Sequence, residues 1–309
     1  MAEQQSKEIY RRFVDEVING GNTDAVEDLF SADYVDHSRP PDAPEGLEGV
    51  KAIPRMFRGA FPDVTFTIED MIEEGDIVAT RVTGRGTHKG PFLGVEPTGV
   101  QATWASMGFF RVADGKIVEH WGAPDLASLL TQLGAIPAPE GEAPAEGTPM
   151  PASAPRAAEP PVGAGEPNLE ANKALIRRYV EEMFNRHDLT GLEEMLAPDY
   201  VYHVIGQDIR GVEGYKGTVY PLFEAFPDVE NVIQDEVAEG DRVAIRWRAH
   251  GTHEGEFMGV PATGRKVELA GITIERIVSD QRVEGWGVPD MVGLMQQLGA
   301  VPGGAPVRS

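Results

Sequence analysis

The chain of 309 residues contains no cysteine. That excludes disulfides, thiolate nucleophiles and Cys-ligated zinc, and leaves any metal site to His and carboxylates. Apolar runs of membrane-spanning length, about 20 residues, are missing as well. The first residues, Met1-Ala2-Glu3-Gln4-Gln5-Ser6-Lys7-Glu8, are polar and lead into a helical pattern without the apolar region of a secretory signal. A cytoplasmic protein with no membrane partner is the expectation. Cationic residues are scarce: 27 Lys and Arg stand against 50 Asp and Glu, a formal charge of -23. Such a surface repels phosphate backbones, and no basic patch offsets it, so no nucleic-acid partner is expected. What the chain does have is apolar side chain, 41% of residues, enough over this length for a buried core in each of two domains.

Self-similarity organises the sequence. Phe61-Pro62-Asp63-Val64 returns as Phe226-Pro227-Asp228-Val229, and Gly86-Thr87-His88 as Gly251-Thr252-His253, both at an offset of 165 residues. Trp121, Pro124 and Asp125 match Trp286, Pro289 and Asp290 at that offset, whereas Asp33-Tyr34-Val35 and His37 match Asp199-Tyr200-Val201 and His203 at 166. One residue is therefore lost in the loop after the His. Solenoid units repeat every 20 to 50 residues or so, which makes this a duplicated domain. The boundaries read as 1–135 for the first copy and 169–301 for the second. Residues 136–168 between them, rich in Pro, Ala, Gly and Glu, cannot offset their ordering entropy by burial and read as a flexible linker.

Each copy opens on a helical stripe, Ile9, Phe13, Val17 and then Leu175, Tyr179, Met183. A shorter helix follows over Thr23 to Phe30 and over Leu189 to Leu196. After a short strand, Tyr34 to His37, comes a third helix, Val50 to Phe61 and Val212 to Phe226, stopped by Pro62 and Pro227. The rest alternates like strands joined by hairpin turns at Gly75-Asp76, Asp114-Gly115 and Ser279-Asp280, and a last helix, Leu126 to Leu133, closes at Gly134. Three helices followed by an antiparallel meander predict an α+β domain with its helices on one face of a curved sheet.

Three stretches carry a resemblance. They are the hairpin segments Gly86 to Gly99 and Gly251 to Gly264, each a Gly-Thr-His turn followed by Phe, Gly and Thr-Gly; the endings Val118 to Gly134 and Val283 to Gly299; and Asp33-Tyr34-Val35-Asp36-His37 with its counterpart. Together they cover nearly all of both copies, and each copy resembles a SnoaL-like polyketide cyclase, within the cone-shaped superfamily of ketosteroid isomerase and scytalone dehydratase. The resemblance implies two tandem cones, each with a metal-free and cofactor-free site in which a carboxylate moves the proton of a ring closure. That role falls on Asp125 and Asp290. It also implies a small apolar carbonyl-bearing substrate and an intrachain pseudo-dimer of the two domains.

The residues themselves leave alternatives open. Walled by Trp121, Phe109, Met107 and Leu129, or by Trp286 in the second copy, the Asp carboxyl would be pushed up by desolvation; as part of Pro-Asp-Leu it would instead cap the last helix. His37 and His203 are read as pocket residues that donate to a carbonyl or share a proton with the Asp. His88 and His253 either border the cone mouth or hold backbone. His120 is answered by Gly285, so the two sites are not equivalent, and the extra titratable group favours the first copy for activity. No His-carboxylate chelate spacing is present, so no metal is expected. Departing from the studied cyclases, neither Trp104 to Arg111 nor Ala270 to Arg276 carries a His to partner the Asp. The leading expectation is a cyclase or isomerase; the alternatives are a non-catalytic binding protein for an apolar metabolite and an epoxide hydrolase, which needs an Asp-Arg-Asp set.

Overall fold

The computed structural model describes residues 3–40, 42–136 and 168–300. The greater part of the expected linker, residues 137–167, and residue 301 lie outside them. The chain divides into two compact units, one for each copy.

In the first domain, α1 (Glu3–Arg12) continues as a π-helical segment, Phe13–Asn19, and a 3-10 turn, Thr23–Ala25, leads into α2 (Val26–Leu29). Strand β1 (Phe30–Asp36) and helix α3 (Gly46–Ala60) precede β2 (Thr65–Glu74), β3 (Ile77–Thr87), β4 (Gln101–Ala113), β5 (Lys116–Pro124) and α4 (Leu126–Gln132). The second domain repeats this order. Its elements are α5 (Leu169–Tyr179) with a π-helical end, α6 (Leu192–Met195), β6 (Leu196–Val204), β7 (Gln207–Arg210), α7 (Gly211–Ala225), β8 (Glu230–Glu239), β9 (Arg242–Thr252), β10 (Lys266–Val278), β11 (Gln281–Pro289) and α8 (Met291–Leu298). No helix among the described residues is long and apolar enough to cross a membrane.

The sheets run β1-β5-β4-β3-β2 and β7-β6-β11-β10-β9-β8. Hairpins make β2 to β5 antiparallel, as expected, but β1 joins β5 in parallel. Helix α3 carries the chain from β1 at one edge to β2 at the other, so the direction of β1 is independent of the hairpins. Strand β7 is a further departure. Ile205 and Gly206 both adopt positive φ, 49° and 73°, the turn geometry that folds Gln207–Arg210 back on β6 where the first copy has a loop. Register breaks between Ile68 and Asp70 and between Arg111 and Val112 recur between Ile233 and Asp235 and between Arg276 and Ile277. Such bulges sharpen the bend and twist of a strand.

The helical stripe predicted for α1 is buried: Ile9, Phe13 and Val17 pack with Phe30, Tyr34, Phe110 and Ile117 across the concave face. In the second domain Tyr179 and Met183 are buried, with Ile176 deeper than Leu175. Asn19 ends the first helix and pairs with the Phe66 backbone in both directions, at 2.8 Å each; Asn185 does the same for Asn231. The two most visible repeated motifs hold each other. Asp63 of Phe-Pro-Asp accepts from the Thr87 backbone N–H and hydroxyl of Gly-Thr-His, both at 2.7 Å, and Asp228 does so for Thr252.

Candidate active site in the cone of the second domain

Strand alternation decides which side chains reach the cone interior. On β4, Phe110 meets Tyr10 of α1 and Trp104 stacks on Phe57 of α3, so these positions face the helices. Met107 and Phe109 alternate with them and face the other way. Phe109 pairs with Trp121, and His37 lies flat on that Trp with ring centroids 4.6 Å apart. The expected wall of Trp121, Phe109 and Met107 is thus built on the convex face, away from the helices. Asp36, one residue before His37, turns inward to His120 at 3.2 Å.

His37 and His203 serve ion pairs on that outer face. His37 Nε2 is 3.2 Å from Glu119. His203 sits between Asp208, 2.7 Å from Nδ1, and Glu284, 3.1 Å from Nε2, beside Trp286. Burial works against its charge, but the bonds to Glu284 and Asp208 win and raise its pKa. Arg111 bridges Glu119 and Asp76, and Arg276 bonds Asp241 with Glu284 3.9 Å from Nη1, so both arginines tie carboxylates together. His88 and His253 are fully buried. Nδ1 of His88 accepts the Thr98 backbone N–H at 3.2 Å, and His253 takes Thr263 at 3.3 Å, so each ring pins its own hairpin.

Both candidate aspartates cap the last helix, and they are not alike. Asp125, 3% exposed, spends one oxygen on the Ser128 N–H at 3.0 Å and the other on the Ser128 hydroxyl at 2.5 Å. Asp290, half-buried, accepts the Gly293 N–H at 2.9 Å through Oδ1. Gly293 stands where the first copy has Ser128, and it has no hydroxyl to hold Oδ2. Burial raises both carboxyls; the Ser128 bonds pull against it at Asp125, and the single Gly293 bond does so at Asp290.

The sequence reasoning missed the interior of the second cone. A cavity of about 50 Å³ lies there, walled by residues that include Tyr179, Tyr202, Tyr215, Trp247, Glu275 and Arg282. Arg282, 1% exposed, donates to Glu275 at 2.5 Å and to the Tyr200 hydroxyl at 3.0 Å, and its guanidinium carbon is 3.7 Å from the Tyr179 ring centre. The Tyr179 and Tyr215 hydroxyls bond each other. Glycines make the room: a Cβ on Gly285 would run into Tyr200 and Glu275, on Gly287 into Tyr202, and on Gly271 into Trp247. Ring Trp247 lies over Gly271, which pairs with Pro289, the residue before Asp290. Burial pushes the Glu275 carboxyl up, with Arg282 pulling against it, and raises all four phenols well into their neutral range. At the matching places the first domain has Phe110 for Glu275, Ile117 for Arg282, Phe13 for Tyr179 and Val50 for Tyr215, all packed in its core. This cavity is in the second copy, whereas the expectation drawn from His120 favoured the first copy for activity. In the first, His120 is stacked on Phe110 at 4.3 Å. No cluster of three His, Asp or Glu suited to a metal occurs among the described residues.

The model of the SnoaL-like polyketide cyclases matches residues 8–133 and again 174–298, most of the chain. The chain belongs to that family. Among its relatives, aklanonic acid methyl ester cyclase DnrD of Streptomyces peucetius is 31% identical over 138 residues, 43% of this chain and 94% of that protein. Nogalonic acid methyl ester cyclase of Streptomyces nogalater is 32% identical over 121 residues, 38% of this chain and 88% of that one. Of solved structures, AclR from Streptomyces galilaeus is similar at 34% identity over 43% of this chain and 99% of its own, with a TM-score of 0.41. This SnoaL-like chain thus spans almost the whole of each relative with a part of itself. A signal for the second cone was present in its sequence: set against Phe110 and Ile117, Glu275 and Arg282 are charges at positions the first copy fills with core residues.

Proposed function

We propose that the protein is a cofactor-free cyclase that closes a ring in a polyketide-like ester, and that the second domain does the chemistry. The observation that carries the reading is the polar cavity inside the second cone, where the first domain has apolar side chains. The reaction needs a base that takes a proton from a carbon beside a carbonyl, and an acid that returns it. The enolate carbon then bonds to a second carbonyl carbon, and the alkoxide formed there receives the proton back, so substrate and product are isomers. Asp290 fits the carrier role better than Asp125. Its Oδ2 has no serine donor, while burial favours uptake of a proton. Both oxygens of Asp125 are committed to Ser128.

The named substrates of the relatives, aklanonic acid methyl ester and nogalonic acid methyl ester, are the first compounds to assay. The dialysed full chain in the presence of a chelator is expected to convert at least one such ester into a product of the same mass. Unchanged substrate across a panel of these esters, with the chain folded, would count against a cyclase. An epoxide hydrolase is disfavoured, because the buried Arg282 is paired with a single carboxylate, Glu275, and not flanked by two. Pairing of the two domains within the chain, expected from the sequence, stays part of the proposal. Small-angle scattering should then show one compact particle and not two lobes tumbling independently.

A further inference from the structure

The Arg282 cluster in the second cone holds more hydrogen-bond donors than it uses, and on the same cavity wall Asn231 Oδ1 is a buried acceptor without a partner among the described residues. Nη2 of Arg282 is used by Glu275 and Tyr200, but Nε and Nη1 have no hydrogen-bond partner among the described residues although the side chain is buried. Tyr200 donates to Glu275, and the Tyr179–Tyr215 pair has two protons for one shared bond. The cluster is not required by the fold, since the first domain reaches the same architecture with Phe110 and Ile117 in these places. A buried ion pair generally adds little stability over well-packed apolar side chains, so its presence calls for another reason. Unpartnered N–H groups of a buried guanidinium call for an acceptor. With its face against Tyr179, the guanidinium keeps its N–H edge for a planar group with more than one lone pair.

We propose that this cavity is an oxyanion subsite, in which Arg282 Nε and Nη1 and the Tyr179–Tyr215 pair receive the charged oxygen of a planar delocalised group, either a carboxylate or an enolate. The assignment deepens the reading of the second cone as the substrate site and rests on it. Arg282 is a substrate-binding residue in this account, and Glu275 and Tyr200 position it.

Binding of small probes to the full chain tests it without turnover. Isotope-labelled acetate represents a carboxylate, acetylacetone ionised at a pH above its own pKa an enolate, and acetamide a neutral group shaped like acetate. At least one of the anions is expected to bind about tenfold or more tightly than acetamide, the scale of one charge-assisted hydrogen bond. Whichever anion binds more tightly identifies the source. The double variant Glu275→Phe/Arg282→Ile copies the first domain's interior; it should fold with an unchanged or higher Tm and lose the preference. Should it not fold, Arg282→Lys keeps the charge without the planar fork and should weaken anion binding by about tenfold. Equal binding of acetamide and both anions, or an anion preference that survives in either variant, overturns the subsite. Anion preference without any ring closure would sink the cyclase reading alone, whereas ring closure at the wild-type rate in the double variant would sink the subsite alone.

Discussion

The two domains share one backbone plan and fill it differently. Phe13, Phe110 and Ile117 make the first interior an apolar core, and Tyr179, Glu275 and Arg282 make the second a hydrogen-bonded cavity wall. The first domain serves as an internal control: its cone forms with Phe110 and Ile117 in the places of Glu275 and Arg282, and keeps the Asp36–His120 pair where the second has Gly285. Charges there cost desolvation that packing does not recover, which is why the polar interior points to chemistry while the apolar one points to stability.

That contrast can be broken by single substitutions. Arg282→Met leaves Glu275 buried without its partner and is expected to cost the second domain about 3–5 kcal/mol. Ile117→Met at the matching place should cost less than about 1.5 kcal/mol. Denaturant unfolding followed domain by domain reads both, and equal costs would erase the distinction. Next in size, Gly285→Ala puts a methyl into the space of Tyr200 and Glu275, with an expected loss of about 1–3 kcal/mol from overpacking.

Acid should separate the domains too. Burial alone would raise the Asp36 carboxyl, but the charge and hydrogen bond of His120, with two bonds from Ser38, hold it down at about 2. A depressed carboxyl contributes stability above its ordinary value near 3.8 and loses it as pH falls toward 2, here roughly 2 kcal/mol. His203 has the opposite sign. Its raised pKa contributes fully below about 6.5, and the contribution fades as pH rises through the folded value. Stability measured across pH should therefore lose its acid-side slope in His120→Gln and its slope above about 6.5 in His203→Gln; slopes that persist would show that these pairs contribute nothing. The smallest expected difference is in the caps. Asp290→Ala should cost about 1 kcal/mol, and Asp125→Ala somewhat more because Ser128 gives it two bonds, as thermal unfolding would show.

Local signals were legible in the sequence and distant ones were not. The repeat, the helical stripes and the hairpin turns rest on spacings of a few residues, and they place α1, α3, β2 to β5 and α4 within a few positions. The inward face of β4 could not be read, because Phe109 and Phe110 are both buried and alternation loses its contrast when two faces are apolar. The same ambiguity put His37 and His203 in the pocket, when a one-residue shift on a strand turns them outward. Asp125 and Asp290 were legible as candidates, and the cap alternative was legible beside them. Glu275 and Arg282 flank the Ser279-Asp280 turn and drew no reading from the sequence; strand pairing across β10 and β11, with Tyr200 arriving from β6, brings them inside.

The most direct test of the division of labour is ring-closure turnover by Asp125→Asn and Asp290→Asn compared in the full chain. Asp290→Asn is expected to lower kcat by about 10²–10⁴, the usual range for removing an acid/base group, while Asp125→Asn keeps most of it. The reverse pattern, or full activity in both variants, would contradict a catalytic second domain.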